Sequence, residues 1–351
     1  MAVTFDDAEL DALARLSAKL GDDPVLIQGP GGNTSIKLGE CLWVKASGTW
    51  LADALKHHIF VPLDLAGVRR RLDAGEADPA SPEVIGTGRS GDLRPSIETT
   101  MHAVMPQRVV LHVHSVNTIA HAVRTDGEKV LSPLLQGLGW AWIPYAKPGV
   151  PLTHALRKAA DGGAEVLVLA NHGLVVAADE VEKAESLLYE VEARLRVPFR
   201  QAPGAAQTVL QELTPAGGYR LPLFDEANAA ATTAENLAVA TRGALYPDHV
   251  VFLGPSPTPV IQGKQAAEQM RTFASRRKAG PPFVIVAGAG VLIRSDLGRS
   301  ADEMARCLGL VLARVDQSAP IVFLTADQEA ELLGWPAEKY RQALDAARDR
   351  S

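Results

Sequence analysis

The chain has 351 residues, enough for about two domains of roughly 150 residues, each with a core of its own. Its 35 Lys and Arg against 41 Asp and Glu leave a net charge of −6, which argues against a nucleic-acid-binding face and against a polybasic membrane anchor. At 47% hydrophobic and 22% charged residues the composition is globular, and no apolar run of about 18 residues predicts a membrane span.

The opening, MAVTFDDAELDALARL, is acidic and amphipathic and lacks the basic and apolar regions of a signal peptide. Cys41 and Cys307 are too few for a disulfide framework, so a reduced, cytoplasmic compartment is expected. A first helix is predicted, capped by Asp6 or Asp7, with Leu10, Leu13, Leu16 and Leu20 in one stripe and Gly21 placed to end it. β-Prone runs follow at residues 25–28, 35–37 and 42–45, separated by glycine-rich turns. Pro95-Ser96 signals entry into a helix with Thr99 and Thr100 in its first turns. Residues 109–114, 165–170 and 174–177 read as apolar strands, the last two joined by the corner Asn171-His172-Gly173. Residues 179–196 carry Val181, Ala184, Leu188, Val191 and Leu195 at helical spacing.

The segments QAPGAAQ (201–207) and TPAGG (214–218) place a domain boundary near residue 205. Beyond it, predicted strands at 250–253, 283–286, 291–294 and 321–324 alternate with helices, so both halves are expected to be αβ. The two halves share an echo. VLVLANHGLVV and FVIVAGAGVLI, each followed by an acidic helix, share a strand, a glycine corner and a second strand, and this pairing sets His172 against Ala289. Any strand–turn–strand–helix unit has this pattern. The alternative is a second copy that has lost its ligand, and either way the C-terminal half reads as catalytically silent.

The chemistry lies in the first half. His112 and His114 stand two apart on a predicted strand, so both project from one face. His172 sits at a corner where Gly173 allows a sharp turn. Three imidazoles suit a transition metal and leave open coordination positions, as a catalytic site needs. A surface or core pair is the competing reading for the HxH strand alone. Glu98, at the head of the predicted helix, is either a carboxylate beside the metal or a first-turn acid favoured by the helix dipole. His102, four residues on, reads as a buried, backbone-bonded histidine ahead of a fourth ligand. The glycine loop Gly29–Ser35 and the turn Ala46-Ser47-Gly48-Thr49 offer backbone N–H groups and hydroxyls that could cradle an anion, although neither matches a P-loop or a dinucleotide fingerprint.

In order along the chain, GGNTSIK, KASGTWL, SIETTMH, Pro106 before VVLHVHS, and LANHG resemble the class II aldolase/adducin family over roughly residues 8–200. The resemblance implies a three-layer αβα sandwich around a mostly antiparallel sheet for a catalytic domain at 1–205; the smaller αβ domain at 206–351, outside the resemblance, is expected to be non-catalytic. It implies His112, His114 and His172 as ligands of Zn2+ or another divalent transition metal, and Glu98 as the acid/base carboxylate. Asn33, Ser35, Ser47, Gly48 and Ser96 would line a phosphate pocket. Family members act on small sugars or sugar phosphates and form homo-oligomers, so both are expected here. Glu at 98 leans away from the 4-epimerases, and the histidines favour an enzyme over an adducin-like module. The expected reaction is aldol cleavage or formation through an enediolate, with the Glu98 pKa tuned towards neutrality; dehydratase, epimerase and decarboxylase chemistry are the alternatives. Ile97 stands where aldolases of the family commonly have a second serine, which removes one phosphate contact. No lysine or arginine is assigned to the anion.

Overall fold

The structure, a computed structural model of the chain, describes residues 7–85, 93–214 and 217–334. The chain divides into two units. One takes the residues up to Thr118 with Gly127–Arg196, the other Ile119–Asp126 with the residues from Val197 on.

Helix α1 (Ala8–Gly21) begins where the Asp7 carboxylate accepts from the N–H groups of Glu9 and Leu10. Asp6, the other candidate cap, lies outside the described residues. The leucine stripe is buried as expected. Gly21 is the last helical residue and serves packing: a Cβ there would lie 2.1 Å from Ala52 N. The expected strand at 25–28 does not form. The carbonyl of Asp23 accepts from Leu26 and Ile27, and its carboxylate from Val25, which closes a turn instead. Then follow β1 (Asn33–Leu38), β2 (Cys41–Lys45), β3 (Phe60–Asp64), α2 (Leu65–Asp73), α3 (Thr99–Val104), β4 (Val109–Val113) and α4 (Val116–Ala122), where the division of units falls. The remainder of the first unit is α5 (Gly127–Leu134), β5 (Trp140–Ile143), α6 (Val150–Asp161), β6 (Val166–Leu169), β7 (Gly173–Ala178) and α7 (Val181–Leu195).

The strands form one sheet in the order β3-β2-β1-β4-β7-β6-β5, antiparallel throughout except for the parallel pair β5–β6. Alternation along each strand decides which helix covers which side chain. Val110, Leu167, Leu169 and Val175 pack with Met101 of α3 and with Leu152 and Leu156 of α6. Leu42, Val44, Val61 and Leu63 pack on the same side with Val68 of α2. Helices α1 and α7 meet each other and the strands from the opposite side. The fold is the expected three-layer αβα sandwich.

The second unit carries α8 (Gln207–Leu213), β8 (Tyr219–Arg220), α9 (Ala229–Thr232), α10 (Ala234–Arg242), β9 (Val260–Ile261), α11 (Ala266–Ser275), β10 (Phe283–Val286), β11 (Gly290–Arg294), α12 (Arg299–Leu312) and α13 (Ala326–Leu333). Its smaller sheet has the order β8-β11-β10-β9. Two expected strands are absent. Residues 250–253 belong to a wholly buried π-helical turn, His249–Leu253, a state that a short apolar run does not distinguish from a strand. Residues 321–324 form no strand and carry a single bridge, from Ile321 to Arg124. Among the described residues no helix is long and apolar enough to cross a membrane.

Candidate metal centre

Strand β4 runs through the middle of the sheet and presents His112 on the face shared with Val110; His114 follows one residue past its end. The third imidazole comes from the corner between β6 and β7. Leu169 pairs with Gly173, so only Ala170, Asn171 and His172 make the turn. Asn171 takes a positive φ of 51°, a conformation that asparagine adopts more readily than most residues. Gly173 lets the corner close on β4: a Cβ there would stand 2.5 Å from Val113 O and 3.4 Å from His114 Cα. This packing drives His172 against the end of the strand that carries the other two histidines.

The three rings meet. Their centroids lie 5.0, 5.0 and 5.3 Å apart, and one nitrogen from each falls within 4.8 Å of the others. All three residues are buried, and they form the one group of His, Cys, Asp and Glu donors among the described residues that could hold a metal ion. A nitrogen-only donor set at that separation fits a divalent transition ion. The Leu174 carbonyl can only accept, so at 3.0 Å it receives the His112 Nδ1 proton and leaves the Nε2 lone pair facing the centre. Such a partner sets tautomer and ring orientation in metal sites.

Glu98 sits at the head of α3, buried, with Oε2 3.5 Å from His112 Nε2 and Oε1 3.5 Å from His172 Nε2. Burial works to raise its pKa. The charges of His112, His172 and His114, with the hydrogen bond from Asn33, outweigh burial and hold the carboxyl at about 2. The protein's own groups thus shift this carboxyl downward.

Behind Glu98 runs a chain of hydrogen bonds that the sequence did not announce. Asn33 lies directly opposite His112 in the sheet register, and its amide donates to Glu98 Oε2 at 2.9 Å and to Ser96 Oγ at 3.3 Å. The Asn33 carbonyl oxygen meets His102 Nε2, and His102 Nδ1 lies 2.7 Å from Ser35 Oγ. Both ring nitrogens of His102 are thereby engaged, so it is a support and not a fourth ligand. Burial, followed by the charge of His112, lowers its pKa to about 3, so the ring stays neutral. Ser35 is 0% exposed. Its side chain lies one β-period along from Asn33 on the same face of β1, with its hydroxyl on His102.

The two loops converge beside this chain. Ser47 N donates to Arg94 O, Ala46 bridges Pro95, and Ser96 N donates to Lys45 O, which pins the turn containing Ser47 and Gly48 to the segment leading into α3. Lys45 is buried and its Nζ donates to Pro30 O at 2.8 Å, inside the first glycine loop.

A family model for the class II aldolase and adducin N-terminal domain matches residues 11–198. A curated relative, the uncharacterized oxidoreductase YuxG of Bacillus subtilis (strain 168), is 30% identical over 204 residues, which are 52% of this chain and 29% of that protein. The chain thus spans less than a third of that relative. The N-terminal class II aldolase domain of a conserved protein from Thermoplasma acidophilum is 24% identical, with a TM-score of 0.47 over 56% of this chain and 95% of that one. A solved L-fuculose 1-phosphate aldolase is 21% identical, with a TM-score of 0.41 over 55% and 85%.

Proposed function

From its membership of the class II aldolase and adducin N-terminal domain family, to which this chain belongs, we propose that it is a metal-dependent aldolase. It would make or break a carbon–carbon bond in a ketose or ketose phosphate. His112, His114 and His172 hold Zn2+ or a related divalent ion, and Glu98 is the acid/base carboxylate. The observation that carries this reading is the buried convergence of the three imidazoles around one point, with a carboxylate 3.5 Å from two of them.

A bound divalent ion supplies Lewis acidity towards a substrate carbonyl. The chain's own residues orient and move the proton. Asn33 holds Glu98 Oε2, so Oε1 is the oxygen left to exchange a proton with the substrate. As the C4 hydroxyl gives up its proton and C4 becomes the aldehyde, the C3–C4 electron pair would pass into the C2 carbonyl to give an enediolate, and Glu98, having taken that proton, would return it from Oε1 to C3. His102 and Ser35 keep Asn33 in place, so they position Glu98 without touching substrate. Ser47, Gly48 and Ser96 line the substrate side. Ile97, half-buried between Ser96 and Glu98, gives the wall a hydrocarbon surface where a hydroxyl would bind phosphate, and this favours a sugar whose phosphate, if any, is held elsewhere. The catalytic domain would span residues 1–205, in a homo-oligomeric cytoplasmic protein.

Elemental analysis with turnover on a panel of ketoses and ketose phosphates tests the reading. One divalent ion per chain and an aldehyde product are expected, with both lost in His112→Ala. Ketose loss that yields a dehydrated, epimerised or decarboxylated product would move the assignment within the family. A His112→Ala protein with full metal and full turnover would remove it.

A further inference from the structure

The second unit repeats the ligand-bearing half of the first. In that half the elements run α3, β4, α4 and α5, β5, α6, β6, β7, α7. In the second unit, apart from the 3-10 turns Asp225–Asn228, Gly263–Gln265 and Arg277–Ala279 and the π-helical turn His249–Leu253, they run α8, β8, α9 and α10, β9, α11, β10, β11, α12. The sheet orders match strand for strand: β4-β7-β6-β5 and β8-β11-β10-β9. So do the directions, with an antiparallel pair, an antiparallel hairpin and a parallel outer strand in each.

The match extends to single residues. Leu169 pairs with Gly173 and Val286 with Gly290, each across three corner residues. Setting Gly173 on Gly290 sets Ile143 on Ile261 through the parallel pairs, because Ile143 faces Leu169 and Ile261 faces Val286. It also sets Val110 on Tyr219, because Val110 faces Ala177 and Tyr219 faces Arg294. The cores agree independently. Val110, Ile143, Leu167 and Val175 share a cluster with α3 and α6, while their counterparts Tyr219, Ile261, Val284 and Leu292 share one with α8 and α11. A strand–turn–strand–helix coincidence does not explain nine elements in one order, with one register and one covered face.

We infer that residues 207–312 are a second copy of the half-fold 99–195 in which the metal-holding corner has been converted to hydrocarbon. Continuing the register along β8 puts Leu221 at the position of His112 and Leu223 at that of His114, and the corner puts Ala289 at that of His172. Leu221 and Ala289 pack into the apolar cluster. The gap that Glu98 bridges in the first unit is closed in the second by backbone: Ala206 N donates to Ala289 O at 2.8 Å. The second copy therefore contributes a folded unit, and among the described residues the one group that could hold a metal is that of the first unit. This inference concerns the second unit and stands apart from the reading of the first.

A crystal structure of the full chain grown with Co2+ tests both, using the overlay and the anomalous signal. Superposing 207–312 on 99–195 is expected to bring the Cα atoms of Leu221 and Ala289 within about 2 Å of those of His112 and His172, less than the roughly 3.3 Å of a one-residue slip. One anomalous peak per chain is expected, at the histidines. A different strand order in the second unit, a slipped register, or a second peak beside Leu221 and Ala289 would overturn the inference. An overlay that holds with no peak at the histidines would support the copy and remove the metal reading.

Discussion

The two corners, Ala170-Asn171-His172 before Gly173 and Ala287-Gly288-Ala289 before Gly290, are built on one backbone plan and differ in what they hold. Each turns with a positive φ at its middle residue, 51° at Asn171 and 74° at Gly288. Each returns through a glycine whose missing side chain admits a neighbour: a Cβ on Gly173 would stand 2.5 Å from Val113 O, and one on Gly290 2.5 Å from Asn228 Oδ1. At the third position one has an imidazole facing two others and the second has a methyl group in an apolar cluster. The sharp corner is thus a device of the fold, and the chemistry is an addition to it. Two side chains, Leu221 and Ala289, put a packing layer where the first corner has imidazoles, while Leu223, the counterpart of His114, is 63% exposed.

The largest contrast comes from those side chains. His172→Ala is expected to lower metal affinity more than about 100-fold, beyond the roughly 10–100-fold typical of losing a supporting partner, and to abolish turnover. Ala289→Gly should leave metal content and turnover at wild-type levels. Metal analysis and steady-state rates on the two variants read this directly, and equal losses in both would end the distinction between the corners.

A second contrast lies in acid stability. His249, in the buried π-helical turn of the second unit, is held by burial at about 4 against an ordinary 6.5, and its Nδ1 accepts from Leu245 N. As pH falls the unfolded chain takes this proton first. The stability it contributes is therefore complete above pH 6.5 and is lost between 6.5 and 4, by about 3 kcal/mol in all. Urea unfolding across this window should show a shallower decline in His249→Gln, which keeps an acceptor and cannot charge. A parallel decline in both proteins would mean that His249 is not buried neutral.

The returning glycines come next. Gly173→Ala and Gly290→Ala should each destabilise by roughly 2–3 kcal/mol through overpacking. Only Gly173→Ala should also weaken metal binding, because its Cβ pushes on the strand end that carries His114. Thermal unfolding with and without added Zn2+ separates the two effects.

These contrasts show what the sequence could carry. The triad was legible because an HxH strand and an NHG corner are local patterns with a geometric consequence. The supporting chain was not, because Asn33, His102 and Ser35 meet only when β1, β4 and α3 are assembled, and each alone reads as an ordinary polar residue. Ser35 shares a motif with Asn33, and only the assembled fold brings its hydroxyl to His102. Residues 25–28 and 250–253 are apolar enough for strands, yet the Asp23 turn and complete burial decided otherwise. The echo between the halves was visible in sequence as a hairpin. Its extent was not, because β8 and β9 are two residues each and give almost no pattern to read.

The smallest expected effect is the most specific to the shared backbone. If the corners are equivalent, the middle residues should be exchangeable. Gly288 has nothing within 4 Å of where a Cβ would stand, so an asparagine fits there without displacing a neighbour. Asparagine tolerates the left-handed region, and replacing glycine also reduces the freedom of the unfolded chain, so Gly288→Asn should change stability by less than about 1 kcal/mol. Gly288→Val should cost clearly more, because a β-branched residue is strained at positive φ. Asn171→Gly should shift stability by a similarly small amount and keep the metal, since the turn survives and His172 stays where Gly173 lets it close. Differential scanning calorimetry of the three variants decides the matter. If valine proved as harmless as asparagine at 288, the second corner would not have the left-handed turn, and its likeness to the first would stop at the strands.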